Sequence, residues 1–263
     1  MNWLEALIMG IIQGLTEFLP VSSSGHLELS KVAMNVNVEE SLLFTVVVHG
    51  ATVLSTIVVF RKDIVQIIAG VFRFKWDENM QYVVKILISM IPVLIVGMFF
   101  KDQVEGLFTG NLLLVGFMLL VTATLLAFTY YARPRAKKVT FKDAFIIGIS
   151  QAFAVIPGIS RSGSTIATGL LLGNQKENVA RFSFLMVLLP IIGANILDIA
   201  DKAGELQVES GVLPLIVGFV AAFISGLIAC RWMINIVKKG KLIYFAIYCT
   251  LVGTASIIIY FVA

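Results

Sequence analysis

Gln13-Gly14-Leu15-Thr16-Glu17-Phe18-Leu19-Pro20-Val21-Ser22-Ser23-Ser24-Gly25-His26 sets a glutamine, a glutamate, three serines and a histidine inside an apolar stretch running from about residue 3 to residue 35. Pro20 and the serine–glycine run break that stretch into halves too short to cross a bilayer, which takes about 20 mostly apolar residues. Irregular backbone at membrane depth persists only where protein buries it or where it lines a cavity. The segment is therefore read as a helix–break–helix that enters and returns on one side. A second stretch, about 144–174, is broken in the same way by Pro157-Gly158-Ile159-Ser160-Arg161-Ser162-Gly163.

Between and after these lie six uninterrupted apolar runs, about 42–60, 83–100, 112–131, 182–200, 212–232 and 242–262. The chain is 59% hydrophobic and 14% charged, against roughly 25% charged residues in soluble domains. The fold class that follows is an all-α polytopic membrane protein, one membrane domain over 1–263, with six full transmembrane helices and two re-entrant hairpins. The net charge of +4 comes from Lys and Arg gathered in short loops. That is a topology signal and gives no reason to expect a nucleic-acid partner. Cys230 and Cys249 sit in or at the end of apolar runs without CxxC spacing, so neither a disulfide framework nor a zinc site is expected. The N-terminus lacks a basic region and carries Gln13 and Glu17, so it does not read as a cleavable signal.

Loop charges orient the spans. Arg61, Lys62, Arg73, Lys75 and Lys85, then Arg133, Arg135, Lys137, Lys138 and Lys142, then Arg231, Lys238, Lys239 and Lys241 mark cytoplasmic connections. The loops at 101–111 and 201–210 hold only Lys101 and Lys202 as cations and are expected outside. Both termini then lie outside, and the first broken segment enters from the outer face.

The halves also resemble each other. Gly10 and Gln13 recur as Gly148 and Gln151, an offset of 138. At the same offset Ser22, Ser24 and Gly25 recur as Ser160, Ser162 and Gly163. One broken hairpin plus three spans per half, about 1–131 and 138–263, makes an inverted-topology repeat. Its site is expected where the two breaks meet near the midplane.

Gln13 and Glu17 share a helical face at a spacing of four, and an ionisable residue within the membrane is a functional candidate by default. Serines ahead of a helix leave backbone N–H groups that favour an anion. Arg161 stands among Ser160, Ser162, Ser164 and Thr165, a setting suited to fork recognition of phosphate; a structural pair with Glu17 is the plainer reading of the same residue. His49, in the first full span, either lines the cavity or is a hydrogen-bonded core histidine. Trp3, Trp76 and Trp232 read as interfacial anchors. Carboxylate, hydroxyls, imidazole and arginine together suit phosphoryl transfer.

The two stretches resemble the undecaprenyl pyrophosphate phosphatase (BacA/UppP) family. The first is similar to its (E/Q)xxxE element and serine–histidine loop, and Pro157-Gly158-Ile159-Ser160-Arg161-Ser162-Gly163-Ser164-Thr165 to its PGxSRSxxT element. The resemblance implies a bacterial plasma-membrane enzyme that removes one phosphate from undecaprenyl diphosphate during carrier-lipid recycling for the cell wall, associated with bacitracin resistance. It implies a divalent cation, Mg²⁺ or Ca²⁺. It marks Glu17, Ser23, His26 and Arg161 as catalytic, with Glu17 also the candidate metal ligand. Gln13, Ser22, Ser24, Gly25, Ser160, Ser162, Gly163 and Thr165 are expected to bind substrate. Gln13 is the neutral option at the first motif position and weakens the case for two acidic ligands. Whether Ser23 or water attacks, and whether His26 or Glu17 is the base, stays open, as does a homodimer. The inverted repeat also admits a lipid-phosphate flippase or other transporter as an alternative.

Overall fold

The structure, a computed structural model, describes residues 1–34, 36, 38–72, 74–108, 110–132, 137–201 and 211–262, and their side chains other than those of 38–42 and 198–201. Arg73, Arg133, Arg135 and Lys202 of the orienting loops lie outside the described residues.

The described chain is helical. The first broken segment forms α1 (Trp3–Phe18) and α2 (Ser23–Met34), followed by α3 (Val38–Val59), α4 (Arg61–Val71), α5 (Glu78–Phe99), the short α6 (Lys101–Glu105) and α7 (Leu112–Phe128). The second gives α8 (Phe141–Phe153) and α9 (Arg161–Leu171), followed by α10 (Lys176–Met186), α11 (Leu188–Asp201), α12 (Val212–Lys239) and α13 (Ile243–Val262). Five helical stretches are long and apolar enough to cross a membrane, and six if α3 and α4, bent by 77° at their junction, count as one. This is a polytopic membrane protein.

Two features depart from the expected spans. Residues 61–71, read as loop from their charges, form α4, because Ile64, Ile67, Ile68 and Val71 repeat at helical spacing. Ile64 and Ile67 pack on the core, and Asp63 pairs with Arg181 of α10. The expected span at 182–200 begins earlier, at Lys176, and is interrupted at Val187 between α10 and α11.

Helix pairs in lipid lack a hydrophobic drive and use small residues for close approach. The helix α1 lies along α12 in the same direction: a Cβ on Gly10 would stand 2.5 Å from the Gly218 carbonyl, and one on Gly14 2.5 Å from that of Ala222. The helix α8 lies along α5, with Gly148 against the Ser89 backbone. The helix α7 packs on α13 through Gly116 and Gly253, and Ser256 Oγ donates to the Leu112 carbonyl at 2.7 Å.

Candidate active site

Each broken segment begins at a capped helix. Asn2 and Glu5 form a reciprocal capping box at the start of α1, and Thr140 and Asp143 form one at the start of α8. Each segment then stops at a short loop whose serines bond one another. In the first, Gly25 N–H donates to Ser22 Oγ at 3.2 Å and Ser22 Oγ lies 3.3 Å from Ser24 Oγ. In the second, Gly163 N–H donates to Ser160 Oγ at 3.0 Å and Ser160 Oγ lies 3.4 Å from Ser162 Oγ.

The two loops touch. Ser162 Oγ donates to the Leu19 carbonyl at 3.2 Å, and a Cβ on Gly25 would be 3.1 Å from Gly158 Cα. Gly158 has φ +97° and faces the Val115 carbonyl at 2.6 Å from where a Cβ would be, so a larger residue is excluded there. Thr122 of α7 fixes this loop, donating to the Gly158 carbonyl at 3.1 Å and accepting from Ser160 N–H at 3.0 Å.

Ser22 occupies the left-handed region at φ 69°, a strained conformation for a residue with a Cβ. Its carbonyl is held from both sides of the turn, accepting from His26 N–H at 3.1 Å and His26 Nδ1–H at 2.8 Å. That bond fixes the histidine tautomer, and His26 Nε2 meets the Tyr248 hydroxyl at 2.8 Å with the two rings stacked. Both ring nitrogens are therefore occupied. His26 holds the turn, and no hydrogen bond among the described residues joins it to Ser23.

The group that does meet Ser23 is Glu17. Ser23 Oγ donates to Glu17 Oε2 at 2.6 Å, and Gln13 Nε2 donates to the same oxygen at 3.0 Å. Arg161 Nη1 lies 3.9 Å from Glu17 Oε1, an ion pair without a hydrogen bond. His49 Nε2 lies 3.8 Å from Glu17 Oε2, while its Nδ1 bonds the Thr45 carbonyl at 2.8 Å. His49 is thus both hydrogen-bonded to its own helix and turned to the site. The Glu17 side chain is 10% exposed and that of Arg161 33%.

A small cleft, open at its mouth, lies beside this cluster. Its polar wall is Glu17, Arg161, Ser162, Thr165, Thr52, Thr56 and Ser183. Its apolar wall is Phe18, Val53, Phe184, Val187 and Ile191. Ser183, Thr52, Thr56 and Tyr248 were not among the residues singled out from the sequence. They lie on α3, α10 and α13, outside the two broken segments, and nothing in their local pattern separates them from ordinary helix hydroxyls.

Among the described residues no group of three or more His, Cys, Asp or Glu side chains converges as a metal site. Glu17 supplies a carboxylate, and Gln13 Oε1, on a side chain 0% exposed, is a buried acceptor with no partner. Carboxylate oxygens completed by substrate phosphate suit Mg²⁺ or Ca²⁺.

Helical spans that bury a carboxylate, a hydroxyl bonded to it and a facing arginine define the class: a polytopic membrane protein with a polar site inside its helix bundle. Residues 6–255 match the family described as bacitracin resistance protein BacA, and the chain belongs to that family. It is 59% identical over 262 residues to an undecaprenyl-diphosphatase of Bacteroides fragilis, and 60% identical over 260 residues to one of Parabacteroides distasonis, covering 98% of each chain in both cases. An undecaprenyl-diphosphatase of Desulfatibacillum aliphaticivorans is 41% identical over 280 residues, with full coverage of both chains.

Proposed function

We infer that this chain is an undecaprenyl-diphosphate phosphatase of the bacterial inner membrane, releasing phosphate from the lipid diphosphate and returning undecaprenyl monophosphate. The single observation that carries the site assignment is the 2.6 Å hydrogen bond from Ser23 to Glu17, with Arg161 on the other oxygen of the same carboxylate.

In this reading the diphosphate enters between Arg161 and the serine loops, and the prenyl chain leaves along Phe18, Val53, Phe184, Val187 and Ile191. Arg161 exchanges its loose pairing with Glu17 for the terminal phosphate, where a guanidinium matches two oxygens. Ser23 Oγ attacks the terminal phosphorus as its proton passes to Glu17. The bond from phosphorus to the bridging oxygen breaks, Glu17 returns the proton to the departing lipid phosphate, and phospho-Ser23 remains. Water then attacks the phosphoserine, giving its proton to Glu17; the bond from phosphorus to Ser23 Oγ breaks, Glu17 returns the proton to that oxygen, and inorganic phosphate leaves. Ser22, Ser24, Gly25, Ser160 and Gly163 bind around the phosphates, Ser162 and Thr165 shape the wall beside them, and His26 keeps the Ser22 turn in place. Glu17 would hold a divalent cation together with phosphate oxygens. Such a cation supplies neutralisation of charge on the diphosphate.

The reading extends to six spans, two re-entrant hairpins and an inverted repeat of about 1–131 and 138–263. It is supported by reciprocal packing, α1 on α12 and α8 on α5, with Gly10 and Gly148 at equivalent contacts. It is supported too by equivalent capping boxes and equivalent serine–serine and serine–glycine bonds at the offset of 138. The loop charges then open the site to the outer face.

Purified protein in detergent, given undecaprenyl diphosphate, should release inorganic phosphate. A flippase or other carrier built on the same repeat would release none, and that result would overturn the reading.

A further inference from the structure

An anionic phosphate needs hydrogen-bond donors, and a hydroxyl has one proton to give. The cavity beside Glu17 is lined by five hydroxyls, and four have committed theirs to backbone carbonyls. Thr52 donates to the His49 carbonyl at 2.9 Å, Thr56 to that of Thr52 at 3.0 Å, Ser162 to that of Leu19 at 3.2 Å and Thr165 to that of Arg161 at 2.9 Å. The fifth, Ser183 of α10, is 3% exposed and its Oγ has no partner. Helical serines ordinarily bond the carbonyl four residues back, as Ser225 and Ser55 do here. Ser183 does not, although leaving a buried hydroxyl unpaired is destabilising. Arg161 Nη1, on another residue lining the cavity, is likewise without a hydrogen-bond partner.

We propose that Ser183 is a substrate-binding residue, donating its hydroxyl proton to a phosphate oxygen of the lipid diphosphate opposite Arg161. The inference rests on the placement of the diphosphate in this cavity. A group kept unpaired in the free protein and satisfied by ligand makes affinity at the expense of stability. It also explains why a serine stands between Phe182 and Phe184, both fully packed in the apolar core.

The test uses the full-length protein in detergent with Ser183→Ala and Ser183→Cys. Hydrogen bonds to charged groups predict a fall in kcat/KM of roughly ten- to hundredfold for Ser183→Ala. Its thermal midpoint should be unchanged or raised, since an unpaired hydroxyl has been removed. Ser183→Cys, with a weak S–H donor, should fall between. Inorganic pyrophosphate should raise the thermal midpoint of wild type more than that of Ser183→Ala, a readout independent of turnover. If Ser183→Ala keeps kcat/KM within twofold and responds to pyrophosphate like wild type, the inference is overturned. It is overturned equally if activity falls only together with a lowered midpoint in both variants, which marks a structural serine. If wild type itself releases no phosphate, the phosphatase reading fails, while the pyrophosphate comparison still decides whether Ser183 binds an anion.

Discussion

Glu17→Gln changes one atom of the side chain and removes both its charge and its capacity to take a proton. Glu17 Oε2 accepts from Ser23 at 2.6 Å and from Gln13 at 3.0 Å, and Oε1 faces Arg161 at 3.9 Å. An amide can point its oxygen at Ser23 and Gln13 only by aiming its NH₂ at Arg161; flipped, it aims NH₂ at the Gln13 NH₂. Two charge-assisted bonds become neutral, a loss of about 1 kcal/mol each, offset by the relief of a buried carboxylate's desolvation. The fold should therefore survive with a thermal midpoint within a few degrees of wild type. The amide cannot accept the Ser23 proton, and removing a general base costs about 10²–10⁴ in rate, or about 3–5 kcal/mol of transition-state stabilisation. Steady-state phosphate release from undecaprenyl diphosphate, with a melting curve on the same sample, measures both. A loss of less than tenfold with an intact fold would refute Glu17 as the base. A Mg²⁺ titration separates the two roles: a variant needing much more Mg²⁺ marks a metal ligand, and an unchanged dependence at reduced rate marks a base alone.

Arg161→Lys should lose at least tenfold in kcat/KM because an ammonium cannot offer the two-pronged fork; near wild-type phosphate release would remove Arg161 from the site. Gly10→Ala and Gly148→Ala should each lower the thermal midpoint, by the equivalent of about 1–3 kcal/mol for overpacking, since the added methyl meets the backbone of α12 or α5; wild-type melting curves would break the packing argument. Ser24→Cys should react with a membrane-impermeant thiol reagent added from the outer face of intact cells, and labelling from the cytoplasmic face alone would reverse the orientation.

Much of this was legible in the sequence because membranes make polar residues conspicuous. Gln13 and Glu17 stand out in an apolar stretch, their spacing of four makes them bond, and Pro20 with the serine–glycine run marks where α1 ends. Arg161 was legible for the same reason, and its pairing with Glu17 is found at 3.9 Å. The hydrogen-bond partner of Ser23 was not legible. Ser23 is six residues from Glu17 and three from His26, and only the left-handed turn at Ser22 decides which one it faces. Tyr248 is 222 positions from His26, and Ser183 differs from Ser225 only in whether its hydroxyl finds a carbonyl. Such pairings are set by helix packing, which local pattern does not encode. The helix α4 was missed for another reason: its leading Arg61, Lys62 and Asp63 read as loop, while the apolar spacing behind them spelled a helix.

The most direct test is whether phosphate passes through Ser23. Protein mixed with undecaprenyl diphosphate labelled in its terminal phosphate, quenched in acid within the first turnover and digested, is read by mass spectrometry of the peptide around residue 23. The account predicts label on Ser23, with none in Ser23→Ala and almost no turnover in that variant. An unmodified peptide at every quench time, while phosphate accumulates and Ser23→Ala continues to turn over, would contradict it and leave water as the nucleophile.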